Sequence, residues 1–189
     1  MKKRTKALCL LLALLLLCGA AGAETAVSQK EKIFTPNVII PEINAYRQIL
    51  IEHIGDEQGF SADKVQELQG QFALNPTDKM ENMIYFGNAD WSVEAGFYYA
   101  DGGADADKPA TTFSLVVSDK IDSTYRNVLA VSLLLAVSEH YPELDVSAAA
   151  KWLDEGKFEG EMFPLFDGYN LTLLKVENTY QISILKTLE

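Results

Sequence analysis

From residue 41 onward, apolar side chains recur with two different periods, and each change of period marks an element. Ile43, Tyr46, Ile49, Leu50 and Ile54 return at three- and four-residue steps, which puts them on one face of a helix. Pro41 falls near the first turn of that helix and Gly55 is its expected C-cap. Ser61 is placed to cap a second, shorter helix with a thin stripe of Ala62, Val65 and Leu68, ended by Gly70.

Residues 83–86, 93–99 and 112–117 are rich in aromatic and β-branched side chains. Phe113, Leu115 and Val117 alternate with Thr112, Ser114 and Val116, the period of a sheet with one buried face. Gly87-Asn88-Ala89-Asp90 predicts a tight connection and residues 101–109 a longer exposed one, so three antiparallel strands are expected. Residues 125–137 are apolar almost all round, interrupted mainly by Arg126, Asn127 and Ser132, which predicts a helix buried against the sheet. Asp145 or Ser147 can cap a following helix through Trp152 and Leu153, stopped by Gly156. Tyr169, Leu171 and Leu173, then Tyr180, Ile182 and Ile184, alternate across a turn at Glu177-Asn178, a C-terminal hairpin.

The expected fold class is α+β: a single domain with an antiparallel sheet of about five strands, in the order α-α-β-β-β-α-α-β-β, helices packed mainly on one face. No internal repeat or low-complexity stretch appears, so residues 36–189 read as that domain. A helix, three strands, a helix and two strands in that order is loosely similar to secretion-chaperone-like domains. That resemblance lies in element order, carries no sequence motif, and implies peptide binding on a sheet-and-helix surface.

Ahead of this body the chain has a different character. Residues 1–6 carry Lys2, Lys3, Arg4 and Lys6, residues 7–17 are an unbroken apolar run, and small residues follow to Ala23. Basic, apolar, then small is the layout of a secretory signal peptide over residues 1–23. The apolar run is too short to span a bilayer of about 30 Å, so no transmembrane helix is expected in the mature chain. Ala21-Gly22-Ala23 before Glu24 fits release as a soluble protein, the favoured reading. The alternative is lipidation of Cys18, where Leu15, Cys18 and Gly19 match a bacterial lipobox but Leu17 stands where a small residue belongs. Residues 24–35, polar and without apolar period, read as a flexible tether.

Composition then narrows the partners. The chain holds 16 basic and 27 acidic residues, a net charge of −11. Loss of residues 1–23, which contain four bases and no acids, leaves twelve basic residues against 27 acidic ones, a net −15. Such a surface repels nucleic acid and anionic headgroups and favours basic partners or cations. Both cysteines, Cys9 and Cys18, fall inside the leader, so the expected mature chain has no disulfide and depends on burial alone.

Candidate chemistry is sparse. Asp101, Asp105 and Asp107, with two glycines between them, form the one loop that can fold round a hard cation such as calcium. The EF-hand pattern fails there, with Ala106 in place of glycine and Thr112 in place of a bidentate glutamate, and a solvated loop is the simpler reading. His53 and His140 sit next to glutamates near helix ends, without the spacing of a helical zinc motif. No nucleophile elbow, phosphate loop or mature cysteine is present, and no cofactor is expected. Trp91, Phe97, Tyr98, Tyr99, Phe163 and Phe166 make up the candidate ligand or partner surface. Neighbours on a strand face opposite ways, so either Tyr98 or the pair Phe97 and Tyr99 points away from the core. Residues 158–170, which hold Phe163 and Phe166, suggest a lid or partner-facing loop.

These features favour an exported, extracytoplasmic, bacterial-type protein acting as a non-catalytic binding or accessory module for a protein or small-molecule partner. The alternatives are a small carboxylate-dependent hydrolase, for which Asp101, Asp105, Asp107 and Glu161 are the first candidates, and a lipid-anchored envelope protein with a structural role.

Overall fold

A computed structural model describes residues 32–156, 161–166 and 168–186. The leader and its Cys18 lie outside the described residues. After a short 3-10 turn at Lys32–Phe34 come helices α1 (Pro36–Gln58) and α2 (Ala62–Gln71) and strands β1 (Asn75–Lys79), β2 (Met83–Gly87), β3 (Val93–Tyr98) and β4 (Thr112–Ser118). Helices α3 (Ser123–His140) and α4 (Val146–Asp154) follow, then β5 (Met162–Phe166), β6 (Tyr169–Val176) and β7 (Thr179–Lys186). The α+β class expected from the periods is therefore observed, but with seven strands, not about five. All pair antiparallel, in the spatial order β1-β2-β3-β4-β7-β6-β5.

The two unexpected strands are the two edges of the sheet. Each contains a proline, Pro76 or Pro164, and each shifts register beside it, between Pro76 and Asp78 and between Pro164 and Phe166. Proline removes a ladder donor and a bulge interrupts the alternation, so neither segment carries a strand period in its sequence. Of the stretch 158–170 read as a lid or partner-facing loop, Met162–Phe166 and the start of Tyr169–Val176 are strands, and residues 158–160 and 167 lie outside the described residues.

The central strands behave as their pattern requires. β4 alternates half-buried and buried along its whole length, with Phe113, Leu115 and Val117 in the core. The helices cover that face. Tyr141 at the end of α3 stacks on Phe166 of β5, Trp152 of α4 meets Phe163, and the Arg126 guanidinium of α3 lies 4.7 Å from the ring centroid of Tyr180 on β7. Residues 128–137 of α3 are all buried, as an all-round apolar helix should be. Asp122 caps α3 by accepting from Thr124 N at 2.8 Å, and the same backbone donor holds its carboxyl below the usual carboxylate range.

Three local expectations need correction. Ile33 and Phe34 are buried core residues, so the packed body begins inside the expected tether of residues 24–35. Residues 24–31 lie outside the described residues. α1 starts before Pro41 and runs through Gly55 to a C-cap at Gly59, whose φ of 68° is the left-handed conformation that glycine adopts freely. Gly55 serves packing instead: a Cβ there would lie 2.5 Å from Val65 Cγ2, so its absence lets α1 and α2 approach. At the same helix pair Arg47 is only 1% exposed and donates to the Gln69 carbonyl in the last turn of α2. Burial pushes its guanidinium down to about 10.

Candidate functional site

With helices on one side, the side chains of opposite parity lie on the other face of the sheet, which no described helix covers. The strand register sets them in rows that cross it. One row runs Gly87, Glu94, Val116, Gln181, Leu174 from β2 to β6. The next runs Tyr85, Gly96, Ser114, Ser183, Thr172, Met162. A third begins Met83, Tyr98, Thr112. Glycine and small hydroxyl residues thus form the floor of the middle row, with larger side chains beside it.

The floor is hydrogen-bonded to itself. Ser114 Oγ and Ser183 Oγ are 2.7 Å apart, and Gln181 Nε2 donates to Ser183 Oγ at 3.1 Å and Ser114 Oγ at 3.3 Å. These bonds hold the central polar groups in place between the two flanks. The β5–β6 flank is apolar, with Met162, Leu174 and Val176 exposed.

The β2–β3 flank is aromatic and acidic. The Tyr85 ring covers Gly96, 3.5 Å from where a Cβ would be, and the Trp91 indole lies 3.7 Å from the corresponding point on Gly87. A Cβ on either glycine would sit in van der Waals contact with its ring, so each ring lies alongside its glycine. Trp91 takes a φ of 57°, which is uncommon for a bulky residue, and is 59% exposed. The turn that holds it is tied down from within. Asn88, itself buried, donates to Asp90 Oδ1 at 2.7 Å, Ser92 Oγ at 2.9 Å and the Gln71 carbonyl at 3.0 Å, and accepts from Val93 N at 3.0 Å. Hydrogen bonds from the Ser92 hydroxyl and amide lower the Asp90 carboxyl below its ordinary range.

Glu94 lies opposite Gly87 and on the same strand face as Gly96, the two glycines beside these rings, and is the charged residue of the two rows that begin at Gly87 and Tyr85. Desolvation raises its carboxyl above the usual glutamate range, and among the described residues it forms no salt bridge. The Tyr85 hydroxyl is raised as well, chiefly by burial and then by the negative charges of Glu94 and of Asp78 on β1. It donates to Met83 Sδ at 2.9 Å.

Of the aromatic residues selected from the sequence, Tyr98 and Trp91 reach this face or its rim. Phe97 is wholly buried and packs on Phe113, while Tyr99 is buried with its hydroxyl donating to the Asp105 carbonyl at 2.6 Å. The alternation on β3 therefore resolves with Tyr98 outward and its neighbours inward. Phe163 and Phe166 turn toward α4 and α3, because β5 pairs into the sheet and presents its other parity, Met162 and Pro164, to the open side.

The aspartate loop does not gather. Asp105 pairs with Lys108 at 3.5 Å and accepts from Asp107 N, and Asp107 Oδ1 accepts from Asn37 Nδ2 at 2.6 Å. Among the described residues no three His, Cys, Asp or Glu side chains come together as a metal site, and the aspartates of this loop are engaged in its own turn contacts and with Asn37. His53 pairs with Glu57 on its own helix, and His140 ties α3 to Glu42 of α1 at 2.8 Å. Glu94 and Tyr85 were outside the selected residues. The signal for them was present: Glu94 shares the parity of Tyr98 on β3, which forces a carboxylate onto the same face as the outward tyrosine.

No described helix is long and apolar enough to cross a membrane. No protein-family model, curated protein or solved structure matches the chain.

Proposed function

We propose that the chain is an exported, non-catalytic binding module that presents the uncovered face of its sheet to a ligand outside the cytoplasm. The observation that carries this reading is the arrangement of that face. The Tyr85 and Trp91 rings beside two glycines and a Glu94 carboxylate with no salt bridge among the described residues stand next to an ordered Ser114–Ser183–Gln181 floor, an arrangement suited to receiving a ligand. The basic, apolar and small-residue succession over residues 1–23 supports export.

Titration of isotope-labelled protein with soluble oligosaccharides and short peptides tests the reading through backbone amide shifts. Shifts clustered on β2, β3, β4 and β7 at open-face positions are the expected result. Saturable shifts confined to the loop of Asp101, Asp105 and Asp107, or turnover of a glycoside or ester reporter that Asp105→Asn or Glu161→Gln abolishes, would overturn it in favour of the hydrolase.

A further inference from the structure

We infer that the ligand of the open face is an extended basic polypeptide segment, whose arginine side chain is held by Glu94 between the rings of Tyr85 and Trp91. The inference rests on the open-face binding reading and names its ligand class.

Charge complementarity carries it. The acidic groups acting on Tyr85 are Glu94 and Asp78. The lysines of β6 and β7 lie on the other parity, Lys175 opposite Tyr180 and Lys186 opposite Tyr169. The protein as a whole carries −11. A cation arriving at this face meets attraction at short range and at long range, and an anion meets neither.

Desolvation says the same locally. Glu94 is raised by burial and pairs with no cation among the described residues, so the site already bears part of the cost of removing a carboxylate from water. A guanidinium offers the matching fork of donors, and its plane stacks on aromatic faces more readily than an ammonium does. The Tyr85 ring lies alongside Gly96 with its hydroxyl bonded to Met83 Sδ, and Trp91 stands beside Gly87 in a turn tied down by Asn88, so both rings are positioned before the ligand arrives.

The occupant must also be long. A sheet face encloses little of a small molecule, and small-ligand sites bury most of their ligand. The rows cross the strands from β2 to β5, five inter-strand steps, or about 24 Å at the usual strand spacing. That length fits about seven residues of extended chain. One end of the row is the acidic aromatic flank and the other is Met162, which suits a segment with a basic residue at one end and an apolar one at the other.

Trp91 is its own reporter once the buried Trp152 is changed to Phe. The probes are two acetylated, amidated heptapeptides of alternating glycine and arginine, or glycine and citrulline, the neutral isostere of arginine. The arginine peptide is expected to shift Trp91 emission saturably. The citrulline peptide should bind at least about tenfold more weakly, and Glu94→Gln should weaken the arginine peptide by about tenfold, the size of one charge-assisted contact. Tyr85→Leu, which leaves the charge in place, should weaken it less, by several-fold. Binding should also weaken as salt is raised.

Equal affinity for both peptides, full affinity in Glu94→Gln, or no binding of the arginine peptide overturns the inference. Where the inference is overturned in one of these ways but an oligosaccharide or either peptide perturbs open-face amides, the binding reading stands. If ligands perturb only residues away from that face, both fall.

Discussion

Glu94 and Trp91 are both residues that the folded chain holds at a cost. The Glu94 carboxyl is raised by burial, so the native state binds its proton more tightly than the unfolded chain does. The sign follows: its destabilising contribution is absent below the ordinary glutamate range, grows as pH rises through the window up to the native value, and is complete above it. Glu94→Gln is therefore expected to raise the melting temperature at pH 7 and to leave it unchanged near pH 3, a comparison that two thermal scans make. A loss of stability at pH 7 would mean that the carboxylate has a partner in the fold. Trp91 is the second case, with a left-handed φ of 57° that costs a bulky residue about 1–2 kcal/mol. Asparagine accepts this conformation, so Trp91→Asn should gain about 0.5–1 kcal/mol net of the lost contact over Gly87. Urea midpoints at constant slope measure it, and a lower midpoint would show that the indole contact outweighs the strain. Both substitutions should stabilise the fold and weaken the peptide, the opposition expected where a site is built at the expense of stability.

At the scale of elements, the helix α1–α2 pair separates two glycines that look alike in sequence. A Cβ on Gly55 would meet Val65 Cγ2 at 2.5 Å, whereas one on Gly70 would meet nothing within 4 Å. Gly55→Ala should cost about 1–3 kcal/mol through overpacking, largely recovered by adding Val65→Ala, while Gly70→Ala should gain about 0.5–1 kcal/mol from helix propensity. Denaturant unfolding of the four variants checks this, and additive effects of Gly55→Ala and Val65→Ala would remove the steric account. The same contrast shows what was legible in the chain. A glycine after an apolar stripe signals an end, and that is how Gly55 reads; only the packed partner reveals that it is a contact. Strands with one buried face, such as β4, announce themselves by alternation, and Ser61 and Asp145 cap α2 and α4 as their positions suggest. β1 and β5 do not, because an edge strand that holds a proline and a bulge is defined by the neighbour it pairs with. For the site, Tyr98 was readable from parity, but the pairing of Tyr85 with Gly96 across two strands is a matter of register, which no single segment encodes.

On the scale of the whole molecule, an antiparallel sheet with one covered face has three surfaces through which it can associate: its open face and its two edges. Both edges end in a proline-bearing strand, yet they are guarded unequally. β1 reads Asn-Pro-Thr-Asp-Lys and keeps two charged residues, whereas β5 reads Met-Phe-Pro-Leu-Phe and has none. Charges and prolines both discourage edge-to-edge pairing, and a short apolar strand of high β-propensity invites it. Removing proline should therefore matter at one edge only. Pro164→Val restores a backbone donor and favours a regular strand, and is expected to produce a dimer through paired β5 edges. Pro76→Val leaves Asp78 and Lys79 in place and should stay monomeric. The net charge of −11 opposes self-association at long range, so the Pro164→Val dimer should strengthen as salt rises from 0.05 to about 0.5 M and the repulsion is screened. Sedimentation velocity at both salt concentrations decides the matter. Association of both variants alike would mean that proline alone protects the edges, and association of neither would mean that the bulges suffice. Under the expected outcome the open face is the surface left for a partner, since the helices close one side and each edge refuses a strand for a reason of its own.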